Sequence, residues 1–214
     1  MKYLRQYIRQ VLLSEGAKGP ADLPDGYFVR VSPSGPDEID FIIVTQDGEW
    51  TPGVPKWAAA REDIDGLMGI VQISKVDEPR EGPCAGAWQV TWSGATDGFG
   101  PLLYDLAMEY ATKLGGGLIG DRSTVSASAR KVWDYYSDRR SDVEQIQLDD
   151  VDNTLTPGDE DNCEMRVAGG QGYRYRRNPD NMVKTWYYHP LSKAYKKSPD
   201  SVTQELKRLG KLVR

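Results

Sequence analysis

The chain has 214 residues, 39% hydrophobic and 28% charged, which is enough for one sizeable core and cramped for two. A formal net charge of -5 speaks against general nucleic-acid binding, which needs clustered Lys and Arg, and no run of about 18 apolar residues offers a membrane span. Met1 leads into a charged, periodic segment instead of an apolar leader, so a soluble, unsecreted protein is expected.

In chain order, residues 2–15 set Leu4, Ile8, Val11 and Leu12 on one helical stripe, and Gly16, Gly19 and Pro20 end the helix. Residues 1–20 thus read as an N-terminal amphipathic helix that packs on the main body, meets another subunit or lies on a membrane surface. Tyr27–Val31 and Ile39–Gln46 predict two strands of a hairpin around the turn-rich Ser32–Pro36. A loop with Pro52 and Pro55 follows, with a short helix within 57–65. Leu67–Val76 has the β-branched content of a strand, and Ala87–Ser93 alternates so that Trp88, Val90 and Trp92 share one face.

Gly94–Pro101 carries three glycines and then a proline suited to a first helical turn. Leu103, Leu106, Ala107, Tyr110, Ala111 and Leu114 form the buried stripe of the helix that follows, and Gly115–Gly117 terminate it. Leu118–Gly120 allow a short strand. Ser126 is placed to cap a helix running to about Tyr136, and Gln145–Leu148 read as another strand. Asp149–Asp161 form an acidic loop, Lys184–His189 a strand, and Ser198 and Pro199 open a last helix with Val202, Leu206 and Leu209 inward. Residues 21–190 are taken as the main domain and 191–214 as a basic C-terminal helix.

A glycine turn between a strand and a helix start gathers unpaired backbone N–H groups at the positive end of a helix dipole, which favours a phosphate or pyrophosphate. Cys84 and Cys163 are isolated from each other and from His189, the single histidine, so a metal site or a disulfide has little support and no metal is assigned. No Ser–His–Asp motif is present.

The order strand, glycine turn, helix, strand, helix across 67–136 resembles the GNAT superfamily of acyl-CoA-dependent N-acyltransferases. In that family a strand ends in R/Q-x-x-G-x-G/A, whose amides hold the pyrophosphate of acetyl-CoA. Ala95-Thr96-Asp97-Gly98-Phe99-Gly100 falls on that pattern, and Ser126, Ala129, Val132 and Trp133 fall on its N-x-x-A-x-x-L-Y segment. The resemblance implies a mixed α/β (α+β) sheet flanked by helices, with the N- and C-terminal helices as additions. It also implies acetyl-CoA or another acyl-CoA as cofactor, held around Gly98, Phe99, Gly100 and Leu102.

The chain departs from the pattern at Ala95, where the family has Arg or Gln, at Ser126, where Asn is common, and at Trp133, where a Tyr often protonates the leaving thiolate. Tyr136 is the better placed of Tyr135 and Tyr136 to act instead, at 3.6 residues per turn. Glu49, Glu62, Asp63 and Asp121 are the open choices for the path that deprotonates an attacking amine. The chain is also similar to GNAT-like proteins encoded by tailed bacteriophages. That likeness implies a second role, a non-enzymatic virion or assembly protein whose partners are other virion proteins. As an enzyme its partner is an unidentified amine. A third role, nucleic-acid binding, rests on the basic C-terminal region with Tyr173, Tyr175, Trp186 and Tyr187 interleaved.

Overall fold

A computed structural model of the chain describes residues 16–46, 66–77, 82–96, 98–121, 125–150, 163–165, 190–198 and 201–213. The expected helix over 2–15, the short helix within 57–65, the acidic loop beyond residue 150 and the strand over 184–189 lie outside the described residues.

The elements in chain order are β1 (Tyr27–Gly35), β2 (Glu38–Thr45), β3 (Leu67–Lys75), β4 (Trp88–Ala95), α1 (Gly100–Leu114), β5 (Leu118–Ile119), α2 (Ala127–Arg139), β6 (Glu144–Asp150), β7 (Cys163–Met165), β8 (Lys193–Lys196), α3 (Ser201–Arg208) and β9 (Leu212–Val213). They form one mixed sheet in the order β7-β6-β8-β5-β4-β3-β2-β1-β9. β1 to β4 are an antiparallel meander, β5 runs parallel to β4, and β8 lies antiparallel between β5 and β6. A parallel neighbour needs a crossover, and α1 supplies it between β4 and β5. The class is therefore α+β, a mixed sheet flanked by helices.

Strand periodicity places the core. On the α1 face, Phe41 and Ile43 of β2 and Val71 and Ile73 of β3 meet Leu103, Leu106, Ala107 and Ala111, all buried, and Tyr110 stands edge-on to Phe41 with centroids 5.2 Å apart. On the opposite face, Ile42, Val44 and Ile70 form a second buried cluster. Burial on both faces explains why β2 reads as a continuous apolar run, Phe41 to Val44, instead of an alternating one.

Three expectations change. The expected turn Ser32–Pro36 is shorter, because β1 continues to Gly35 and the hairpin closes there. Trp92 does not share a face with Trp88 and Val90. Gln72 pairs with Trp92 while the next residue, Ile73, pairs with Val90, so Thr91 is one extra residue on β4, a β-bulge. Beyond it the strand changes face: Trp88 and Val90 enter the main core, and Trp92 packs on the Ile42, Val44 and Ile70 cluster. Third, Leu114 is 54% exposed, whereas Asp105 and Glu109 of the same helix are buried because α2 and α3 bring partners to them.

The C-terminal region belongs to the sheet. β8 is inserted between β5 and β6, α3 packs on α1, and β9 extends the sheet beside β1, with the Val29 N–H donating to Lys211 O at 2.8 Å. Cys84, fully buried, is joined in a disulfide, contrary to the expectation of isolated thiols; Cys163 in β7 is the chain's other cysteine.

Candidate functional site

β4 and β5 pair over only two positions, Trp88 with Leu118 and Gln89 with Ile119. β4 then runs on to Ala95, and among the described residues nothing further pairs with its β5-side edge. The gap is a cavity of about 260 Å³, walled by Val90 to Ser93 on β4, Tyr104 on α1, Asp121 and Val125 between β5 and α2, and Ser126, Ala129 and Trp133 at and on α2. It lies at the carboxyl end of parallel strands, where α/β proteins hold their ligands.

The cavity's polar groups are positioned by secondary structure. Tyr104 donates its hydroxyl proton to Ser93 Oγ at 3.0 Å, and burial pushes the Tyr104 hydroxyl up to about 12 despite that hydrogen bond. Thr91 donates to Gln72 Oε1 at 2.9 Å. Ser126 caps α2 as expected, accepting the Ala129 N–H at 3.1 Å. Trp133, fully buried, is edge-on to Tyr104 with centroids 5.4 Å apart and also packs on Tyr195 of β8.

The glycine turn is the second part of the site. Phe99 N–H donates to Thr96 O at 3.1 Å, and Gly98 has φ +89°, a conformation that glycine adopts without strain. A methyl group at Gly98 would collide with the Gly16 carbonyl, and Lys18 N–H donates to Gly98 O at 2.9 Å. The turn is thus packed against residues 16–18, with Lys18 Nζ 4.6 Å from the centre of the Phe99 ring. The side chains of Phe99 and Leu102 point into the core. Gly100 is different: a Cβ there meets nothing within 4 Å. As first-turn residues of α1, Gly100 and Leu102 have no carbonyl within the helix for their N–H groups.

Tyr136 is fully buried and is not among the residues around the β4 cavity. Its hydroxyl lies 2.6 Å from Asp105 Oδ1 and 3.0 Å from Pro101 O, so it ties α2 to the first turn of α1. Burial, and then the neighbouring Asp105 charge, hold its proton well above the ordinary tyrosine value. Arg140 grips both Asp105 oxygens at 3.0 Å and also bonds Asp142. Even so, burial outweighs Arg140 and raises the Asp105 carboxyl above its usual range.

Of the open choices for deprotonating an amine, Asp121 lines the cavity, and Glu49, Glu62 and Asp63 lie outside the described residues, as does His189. Thr91, Ser93 and Tyr104 are the cavity residues that sequence reasoning passed over. Their signal was slight: two small hydroxyls in a Trp-rich strand and a tyrosine one turn into a helix.

No protein-family model, no curated protein and no solved structure matches this chain. Among the described residues no helix is long and apolar enough to cross a membrane.

Proposed function

We propose that this protein is an acyl-CoA-dependent N-acyltransferase of the GNAT kind, or a descendant of one that still binds the coenzyme. One observation carries the reading: β4 and β5 part after two paired residues and leave a 260 Å³ cavity immediately before a helix that starts on a glycine turn. An extended acyl-pantetheine arm suits such an opening, because its amides can pair with backbone groups of β4 that no described strand engages. The pyrophosphate would rest on the N–H groups of Gly100 and Leu102. In this reading Tyr104, at the cavity and protonated at neutral pH, is better placed than Tyr136 to give a proton to the leaving thiolate. Asp121 would receive the amine's proton, directly or through water. The amine itself is unassigned.

Titration calorimetry with acetyl-CoA tests the reading. Binding at up to millimolar coenzyme, lost in Gly100→Asp, is the expected result. No heat and no competition by coenzyme A at that concentration would remove it.

One observation favours the alternative of a non-enzymatic virion or assembly protein. Two places where the family resemblance puts chemistry, Gly98 and Tyr136, are engaged in packing, against residues 16–18 and against Asp105. Mass spectrometry of purified particles decides this reading, which fails if the chain is absent from them.

A further inference from the structure

The β4 cavity contains a hydroxyl pair whose proton order is fixed. Ser93 pairs with Val71 and Val90 with Ile73 across the β3–β4 ladder, and Val71, Ile73 and Val90 all belong to the main core, so Ser93 also stands on the helix side of the sheet. There its Oγ meets the Tyr104 hydroxyl, and both residues line the cavity. Tyr104 is 2% exposed, and burial keeps its hydroxyl protonated well beyond neutral pH. Its proton has one acceptor among the described residues, Ser93 Oγ, and a buried donor left unpaired is costly. The proton therefore stays directed at Ser93. A serine hydroxyl has two lone pairs and one proton, so once Tyr104 has taken a lone pair the Ser93 proton remains to be placed. No described group accepts it, and Ser93 is half-buried at the cavity wall.

The rest of the cavity narrows the ligand. Val90, Ala129 and Trp133 give it an apolar wall, and Trp133 stands edge-on to Tyr104. Among the described residues no Lys or Arg lines the cavity, whereas Asp121 does, so an anionic acceptor such as a carboxylate or phosphate is disfavoured. A neutral oxygen that only accepts, with an apolar group beside it, fits these surroundings. A carbonyl compound has both.

We propose that the cavity is a carbonyl site, in which Ser93 donates to the oxygen of a neutral carbonyl compound and Tyr104 is the positioning residue that turns the Ser93 proton toward it. The carbonyl's apolar substituent lies on Val90, Ala129 and Trp133. The site stands without the acyl-CoA reading. Where that reading holds, the carbonyl is the one in the acyl thioester, an assignment that rests on that reading.

The test uses the full chain and two probes of one shape, S-methyl thioacetate and isopropyl methyl sulfide, which has a methyl group in place of the carbonyl oxygen. Affinity is read from NMR shifts of the Ala129 methyl and Trp133 indole signals, and the hydrogen bond from the carbon-13 shift of the bound, labelled carbonyl. Ser93→Ala is expected to weaken the thioester about five- to tenfold, the order of one net hydrogen bond, and to leave the sulfide within about twofold. The bound carbonyl carbon should move upfield of its wild-type position, and Ser93→Thr should restore both readings. Tyr104→Phe keeps the Ser93 hydroxyl but removes the group that orients it, so the carbonyl carbon should fall between those of the wild type and Ser93→Ala. Thermal melts identify any variant that fails to fold. Should Ser93→Ala be one, Ser93→Val against Ser93→Thr, which match in shape, gives the same comparison. Unchanged thioester affinity without the Ser93 hydroxyl, equal loss of both probes, or no binding of either at the cavity overturns the proposal, and a Tyr104→Phe carbonyl shift equal to the wild type's overturns the role of Tyr104.

Titrations with acetyl-CoA and with coenzyme A separate the carbonyl site from the acyl-CoA reading. A loss in Ser93→Ala of about five- to tenfold for acetyl-CoA, with none for coenzyme A, places the acyl carbonyl at Ser93. If the wild type binds neither coenzyme but its thioester binding still depends on Ser93, the acyl-CoA reading fails and the carbonyl site stands.

Discussion

Glu109 of α1 accepts the backbone N–H of Thr203 at 2.9 Å and its hydroxyl at 2.8 Å, so a carboxylate far upstream in sequence caps the start of α3. The same side chain accepts the Val202 N–H at 2.8 Å and pairs with Lys197 Nζ at 3.0 Å, and both charged side chains are buried. Free N–H groups and the helix dipole make a helix start an anion site, and here the chain fills it with its own carboxylate. An eight-residue helix is too short to be stable alone, and this cap is what seats it.

Glu109→Leu leaves Lys197 buried without its main partner, and is expected to cost about 3–5 kcal/mol in urea unfolding. Adding Lys197→Met should recover part of that loss. Two single changes whose costs simply add would show that the pair is not coupled.

The buried tyrosines predict a pH limit. Burial raises the hydroxyl of Tyr104 to about 12, against an ordinary value of 10.0, and raises Tyr136 and Tyr195 as well. A folded value above the unfolded one means that this contribution to stability is whole below about pH 10 and is lost as pH climbs through the folded value. For Tyr104 it is on the order of 3 kcal/mol. Absorbance near 295 nm should show a late tyrosine fraction that ionises together with loss of the near-ultraviolet dichroism. A single tyrosine midpoint near 10 with native dichroism retained contradicts this.

Gly98 and Gly100 should separate packing from binding. Gly98→Ala forces a side chain into a positive-φ position against the Gly16 carbonyl, and about 1–3 kcal/mol of stability should go. Gly100→Ala meets open space and should leave stability within about 0.5 kcal/mol. Chemical denaturation of the two variants side by side is the check, and equal losses would be inconsistent with this turn geometry.

Cys84 is bridged, so reductant should lower the unfolding midpoint by an amount corresponding to about 2–4 kcal/mol. Cys84→Ser should start from the lowered midpoint and ignore reductant. A wild-type midpoint indifferent to reductant would exclude the bridge in solution.

The strand, glycine turn, helix, short strand and helix between Trp88 and Arg139 were legible in the sequence because their signals are local. Alternation, an apolar stripe at 3.6-residue spacing, a proline in the first turn and a capping serine each act within a few residues. The same local signals misjudged the residues whose fate depends on distant partners. Leu114 looks inward only by helical spacing and is exposed, while the burial of Asp105 and Glu109 beside Arg140 and Lys197 has no local signal at all. Tyr136 reads as an available acid until Asp105 is found at its hydroxyl.

The bulge at Thr91 shows the division most clearly. The sequence by itself determined that 88–95 is a strand leading to a glycine turn and a helix, since backbone propensity and turn chemistry are properties of neighbouring residues. Only the tertiary structure decided that β3 pairs with it one residue out of step, that β5 pairs with it only as far as Gln89, and that Gln72 bridges Asp40 and Thr91. Register and the direction of a buried hydrogen bond are set between strands, and no stretch of one strand contains them.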